Sequence, residues 1–521
     1  MVTHSQKKQK TDTLAQVKSL FKPSDFAQTK LDAQSLDEGL IHVAQSYLAD
    51  THQPVPPDLG VPQTLNLLSD LLENPDQDFL TSLESLIAQA VRVHQPAFIG
   101  HMTSALPSYV PSLMYLLGAL NQNQVKLETS GGLSVIEKQV LKELHQLFFN
   151  ETSFFYAGYL NNPDMSLGAF CSGGTLGNLT AFWAFRKAFD AVYPDLKSKA
   201  RIYVSELGHY SIRKAVDVIG LDAEQVVILP NAFFKQDTAK LKQKMLEDQI
   251  LGYRALAVVG VAGTTETGSV DHLDALADIS TFFKCFFHVD AAWGGAFYCV
   301  DSLKTLFKGI ERADAIVIDA HKQLFVPIGC GVVLFKDENL AQKLEYHANY
   351  IIRKGSYDLG QFTLEGSRPA MSLILWSHLR LIELAGFNVL FQSLHELAVS
   401  FADHIKATDD FEVISEPALN ILTYRYCPAE IATAAKNNAE VHGIINEVTQ
   451  RLHKLHRATG MGFVSRTRLP YEGQQEMIDV FRVVLANPNT TIEHCKQVLA
   501  EQRIIVEQDE VIQSLLKQAF I

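Results

Sequence analysis

From about residue 106 to 395 the chain alternates short β-rich runs with helical patterns, and that alternation restricts its fold more than any other feature. "RIYVS" precedes "YSIRKAVDVIG", "VVIL" precedes "TAKLKQKMLEDQI", and "ALAVVGVAG" precedes "HLDALADISTFF"; "FFHVD", "AIVID" and "GVVLF" follow. Parallel neighbours need a long crossover, and a helix is the usual one, so this series predicts a mostly parallel sheet covered on both faces. In such sheets ligands settle beyond the carboxyl ends of the strands. The polar residues that close each apolar run are therefore the first places to look for chemistry.

The flanks differ. Residues 1–105 read as a polar tail and a Pro-punctuated helical segment, in which "FLTSLESLIAQAV" carries apolar residues at helical spacing. Residues 106–395 make the large domain. Residues 396–521, with strands such as "ALNILTYRY" and "DVFRVVLAN" among helices, make a smaller α+β domain. A chain of 521 residues with 47% hydrophobic side chains can fill both cores. Between them "EYHANYIIRKGSYDLGQFTLEGSRP" follows no period and reads as a long functional loop.

Charge and cysteine usage narrow the partners. With 45 basic and 58 acidic residues the formal charge is −13, which argues against a nucleic-acid surface and for small molecules. The six cysteines are scattered without a CxxC pair, so reduced thiols in a cytoplasm are expected, with no metal centre. The polar N-terminus lacks an apolar signal region, and no apolar run approaches the ~20 residues of a membrane span. A cytoplasmic enzyme away from membranes is the expectation.

Several strand ends carry residues that mean little singly. Asp290 closes "FFHVD", where a carboxylate is more often a helix cap or turn residue. "AFCSGGTLGNLTAFWAFR" is a small-residue turn opening a helix, and backbone N–H groups at Gly174 and Thr175 suit an anion. That turn lacks both GxxxxGKS/T and GxGxxG, so a phosphate held there belongs to a smaller cofactor. His209 follows "RIYVS" and offers a flat ring; Thr264 and Thr265 close a further strand. Lys322 stands directly after His321 in "IDAHKQLFVPIGCG", at the mouth of the sheet. A phosphate cradle, a stacking ring, a carboxylate, a small-residue surface and a lysine on one sheet edge are what pyridoxal phosphate requires. The amine condenses with its aldehyde, and the carboxylate keeps its pyridine nitrogen protonated.

"HVDAAWGG" followed by "DAHKQ" resembles the pyridoxal-phosphate decarboxylases that include glutamate, aromatic amino acid and cysteine-sulfinate decarboxylases. The similarity runs from "HQPAFIGHM" to "FRVVLANP". It implies an α/β aminotransferase-like fold (pyridoxal-phosphate fold type I) and a homodimer with active sites at the subunit interface. It also assigns roles: Lys322 attaches the cofactor, His321 lies near the phosphate with Gly174 and Thr175, and Asp290 pairs with the pyridine nitrogen. Ala292 and His209 take the two ring faces, and Thr265 lies close to the cofactor.

In relatives a loop tyrosine returns a proton to the α-carbon, and "GSYDLG" matches it at Tyr357. Arg482 matches an arginine used against side-chain carboxylates of acidic substrates. His101 stands where glutamate decarboxylases carry a glutamine, which turns the expectation from glutamate to aspartate. "FIGHMTSALP" with "NQNQVKLETS" resembles most the bacterial pyridoxal-dependent aspartate 1-decarboxylases, which make β-alanine for pantothenate. The alternatives are a glutamate decarboxylase making γ-aminobutyrate, a cysteine-sulfinate decarboxylase, a pyridoxal enzyme of another reaction type, and a catalytically silent interaction protein.

Overall fold

The alternating runs assemble, in a computed structural model, into a seven-stranded sheet. The structure describes residues 13–14, 16, 36–49, 79–348, 355–435, 438–471 and 477–519. The strands of this sheet are β1 (Gly168–Cys171), β2 (Ala200–Ser205), β3 (Val226–Leu229), β6 (Arg254–Val261), β7 (Phe286–Asp290), β8 (Ala315–Ile318) and β9 (Gly331–Phe335). A small hairpin, β4 (Asn231–Ala232) and β5 (Lys235–Gln236), stands apart from it. The order is β1-β9-β8-β7-β6-β2-β3. β3, β2, β6, β7 and β8 run parallel, while β9 is antiparallel to both β8 and β1.

Register decides where the chemistry lies. Val261 pairs with Asp290, and Asp290 with Val317, so three strands end level on one edge. β7, β8 and β9 are buried along nearly their whole length. The unbroken apolar runs of β8 and β9 are what a sheet covered on both faces selects, and β7 adds the buried His288 and Asp290.

Helix α1 (Gly174–Val192) lies on this sheet. Its Ala181, Phe182, Ala184, Phe185 and Phe189 recur at helical spacing and pack among Ile202, Val204, Val259, Val317 and Val333. Phe185 stacks on Phe286 at 4.5 Å between ring centroids. The helix stops at Val192, two residues before Pro194, which cannot continue it. Phe185→Ala would empty a fully buried site, a loss of about 3–5 kcal/mol.

The described residues fall into two compact units. One is built on Tyr109–Ser393; the other joins described parts of Ala15–Ser108 to Leu394–Ile521. The second unit has its own sheet, β10 (Phe411–Ser415), β11 (Ile421–Tyr426), β12 (Ser465–Pro470) and β13 (Met477–Val484), antiparallel throughout in the order β10-β11-β13-β12. Leu422, Tyr424, Phe481 and Val483 form its core with Ile445, Val448 and Leu452 of helix α2 (Ala439–Thr459). This helix starts on an Asn438 cap and ends at Gly460, whose φ of +72° suits the left-handed stop.

Residues before 105 join that core. The Ile99 amide donates to Phe463 O at 2.9 Å, and Ile99 is buried. The expected helix in "FLTSLESLIAQAV" is found at Phe79–Ile87. Of the long loop, residues 349–354 lie outside the described set. Among the described residues no single helix is long and apolar enough to cross a membrane.

Candidate active site

The carboxyl ends of β1, β2, β6, β7 and β8 surround one cavity of about 380 Å³. Gly174, Thr175, His209, Thr265, Asp290, Ala292, His321 and Lys322 all line it, with Asn178, Ser211, Trp293 and Asp319 beside them. Residues separated by up to 148 positions in sequence thus meet because parallel strands deliver their ends to one edge.

Asp290 is buried at the end of β7, and its two oxygens are held separately. Asn178 Nδ2 donates to Oδ2 at 3.0 Å, and the Ala292 amide donates to Oδ1 at 3.2 Å. Burial disfavours a lone carboxylate, and these donors offset that cost. His209 Nδ1 is 2.7 Å from Ser211 Oγ. Burial lowers the His209 pKa below the ordinary histidine value; nearby Asp290 opposes the shift, and Lys322 reinforces it. At neutral pH the ring is therefore an uncharged flat surface.

Lys322 sits one turn past β8. Its Nζ is 3.0 Å from Asp319 Oδ2, and its side chain is 19% exposed, so the amine is held yet reachable. His321 Nδ1 meets Cys330 O at 2.8 Å, and its Nε2 is 3.7 Å from the same Asp319 oxygen. Above them passes the turn Gly173–Gly174. A Cβ at Gly173 would come within 3.0 Å of His321 Cε1, and one at Gly174 within 3.0 Å of Asp319 Oδ2. Only glycine lets this backbone approach so closely. The first-turn amides of α1 have no intrahelical acceptor, which makes the turn an anion site. Before it, the Ser172 amide donates to Glu365 Oε2 at 3.0 Å.

The two threonines divide their work. Thr264 is buried in its turn, with its hydroxyl 2.8 Å from that of Thr267 and 3.0 Å from that of Ser269. Thr265 lines the cavity.

Three residues named from the sequence lie elsewhere. Tyr357 does not line the cavity: its hydroxyl donates to Asn161 O at 2.9 Å, and the Lys138 ammonium sits 5.0 Å from its ring centroid. Arg482 and His101 belong to the second unit. There Arg482 Nε donates to Ser465 Oγ at 2.9 Å and Nη2 to Gly100 O at 3.1 Å, which fixes the guanidinium beside the His101 backbone. His101 Nδ1 is 2.8 Å from Thr103 Oγ1, and its side chain is exposed.

Sequence reasoning missed Asn178, Ser211 and Asp319 as cavity residues. Asn178 carried only a weak signal: it stands one turn after Gly174, on the helix face that also carries the buried Ala181 and Phe182.

Comparisons with known proteins agree with this geometry. The family model described as "Pyridoxal-dependent decarboxylase conserved domain" matches residues 63–427. An aspartate 1-decarboxylase of Aliivibrio fischeri is 44% identical over 462 residues, which cover 84% of each chain. An aromatic-L-amino-acid decarboxylase of Bacillus atrophaeus is 29% identical over 67% of this chain and 71% of its own. Among solved structures, mouse CSAD superposes with a TM-score of 0.77 at 22% identity, covering 90% of this chain and 98% of that one. Oryza sativa TDC with PLP and tryptamine gives 0.77 at 20%, covering 92% and 99%.

The residues present fit pyridoxal phosphate. The glycine turn keeps a cradle open that a Cβ would fill, a lysine amine and a carboxylate face one cavity, and Asp319 Oδ1 is buried without a hydrogen-bond partner among the described residues.

Proposed function

We propose a substrate and a set of residue roles on the premise that this chain belongs to the pyridoxal-dependent decarboxylase family and is a pyridoxal-phosphate-dependent amino acid decarboxylase. The substrate is L-aspartate, which loses its α-carboxylate as CO2 to leave β-alanine, a precursor for pantothenate. The observation that carries this choice is the 44% identity to an aspartate 1-decarboxylase across 84% of both chains, against 29% and 27% for decarboxylases of aromatic amino acids and of L-2,4-diaminobutyrate.

Lys322 is the residue that would hold the cofactor covalently; Gly174, Thr175 and His321 would hold its phosphate, Asp290 its ring nitrogen, and Ala292 and His209 its faces, with Thr265 close by. When bound, the cofactor supplies an electron-poor ring that accepts the pair released as CO2 leaves. The protein's part is positioning. Asp319 fixes the Lys322 amine at 3.0 Å, and Asn178 and the Ala292 amide hold the Asp290 carboxylate in one orientation. His209 adds a neutral ring rather than a second cation.

Tyr357 is the residue we assign to return a proton to the substrate α-carbon. It serves that step when the loop leaves Asn161, or when it reaches the site of a second copy. Arg482 takes the substrate's side-chain carboxylate, for which a fixed planar guanidinium is suited. A homodimer is supported by the helix Val110–Leu120, on which Met114, Tyr115, Leu116 and Leu120 are exposed in the single chain. Six free thiols suit a reducing, cytoplasmic setting.

Product analysis tests the reading. The pyridoxal-phosphate-loaded protein is incubated separately with L-aspartate, L-glutamate and L-cysteine sulfinate, with Lys322→Ala as control. β-Alanine as the dominant product, absent from the control, is expected; dominant γ-aminobutyrate would overturn aspartate and keep the reaction class.

A further inference from the structure

One buried side chain touches Asp290 directly and reaches His209 through a single hydroxyl. Asn178 is 1% exposed on the second turn of α1, and every polar atom of its amide is engaged. Nδ2 donates to Asp290 Oδ2 at 3.0 Å and to Ser211 Oγ at 3.0 Å, while Oδ1 lies 2.7 Å from His288 Nε2. Ser211 in turn meets His209 Nδ1 at 2.7 Å, and its own amide points to that nitrogen at 3.3 Å.

The chemistry of these partners leaves one arrangement. A carboxylate only accepts, so the NH2 end of Asn178 must face Asp290 and its carbonyl must face His288. His288 then carries its proton on Nε2. Its Nδ1 has no hydrogen-bond partner among the described residues, as the same tautomer of a neutral ring allows. The Ser211 amide donates to His209 Nδ1, so that nitrogen is an acceptor and the Ser211 hydroxyl, which accepts from Asn178, turns its hydrogen to it as well. Neutral His209 therefore carries its proton on Nε2. The charges around His209 are Asp290, Asp319 and Lys322, and none of these bonds to Nδ1.

We propose that Asn178 is a positioning residue that orients the Asp290 carboxylate and, through Ser211, orients the hydroxyl that donates to His209, so that one amide supports two of the contacts to the ring. This rests on the decarboxylase reading above and adds a residue to it. A neutral amide suits the place, because a cation would neutralise Asp290 and a second carboxylate would repel it.

The test uses two variants prepared as holoenzymes. Asn178→Asp keeps the shape and the acceptor for His288 but, ionised, loses both donors and sets a second negative charge beside Asp290. Ser211→Ala removes the hydroxyl between Asn178 and His209 and leaves the Ser211 amide facing Nδ1 and the Asn178 bond to Asp290 in place. We expect pyridoxal phosphate to bind Asn178→Asp about tenfold or more weakly, with an altered visible absorbance of the bound cofactor. For Ser211→Ala we expect cofactor affinity within about twofold of the parent and kcat for L-aspartate lowered about tenfold.

A role confined to stability would lower the melting temperature and leave the cofactor spectrum of the folded protein unmoved. Asn178→Asp with parental affinity, spectrum and kcat would overturn the proposal. If that variant does not fold, Ser211→Ala decides, and an unchanged kcat overturns it. Failure of the parent protein to take up pyridoxal phosphate would instead sink the reading beneath it.

Discussion

The edge of the seven-stranded sheet and the surroundings of Arg482 in the second unit are built to different standards of burial. Asp290, Asn178, Ser211 and His288 are all at most 5% exposed, and each has a partner from another element. Arg482 is half-buried, with a hydroxyl and a carbonyl among its acceptors, and His101 is exposed. The contrast matches the two tasks proposed for these residues. Making one bond labile needs groups whose charge and direction cannot drift. Selecting among amino acids that differ by one methylene needs only a few contacts, each worth about 1–3 kcal/mol.

Lys322→Ala should produce the largest effect, because it strikes the task that all substrates share. Activity should fall by at least about a thousandfold for every amino acid that the parent accepts. Borohydride reduction followed by peptide mapping should find no pyridoxyl group on the peptide that carries position 322. A variant that lost aspartate turnover but kept another substrate would erase the division between the two regions.

Arg482→Lys should be smaller and selective. Lysine keeps the charge and loses the planar fork, so KM for L-aspartate should rise about ten- to a hundredfold while kcat changes less. An equal loss in kcat would move Arg482 from selection into the chemistry.

A third effect tests the first unit's burial directly. His145, His288 and His378 are buried, and desolvation lowers each from 6.5 to about 4. Between those values the unfolded chain binds more protons than the folded one. Stability is therefore fully present above about pH 6.5 and is lost as pH falls toward 4. Urea midpoints at pH 7, 6 and 5 should decline in that order, and His378→Gln should flatten the decline. A midpoint unaffected by pH would mean that these rings are not held neutral.

These differences also explain what the sequence could and could not convey. Lys322, Asp290, His209 and Thr265 were legible because each follows an apolar run, and parallel topology brings such ends together whatever the loop lengths. The antiparallel direction of β9 was not: "GVVLF" is buried on every face, so its pattern reads the same either way. Asn178 was hidden for the opposite reason, since one amide in a helix is read as a surface residue until Asp290 and Ser211 are placed against it. The docking of Ile99 beside Phe463 depends on a pairing across more than 360 residues, which no local window contains. Nor does the spacing around Tyr357 reveal that its hydroxyl takes Asn161 O as acceptor.

His101→Gln should give the smallest effect and the finest test. The Thr103 amide donates to His101 Nδ1 at 3.2 Å, so a neutral ring there carries its proton on Nε2 and presents one donor on a rigid plane. Glutamine offers a donor too, on a flexible chain that can withdraw and lengthen the space available to substrate. The ratio of kcat/KM for aspartate over glutamate should therefore fall about tenfold, with the aspartate kcat nearly kept. Competition between the two substrates in one vessel reads that ratio directly. A fall would make the exposed histidine the length gauge beside a charge-reading arginine. An unchanged ratio would leave discrimination to Arg482 and its supports, Ser465 and Gly100, and would show that selection, like the chemistry, rests on the better-buried partner.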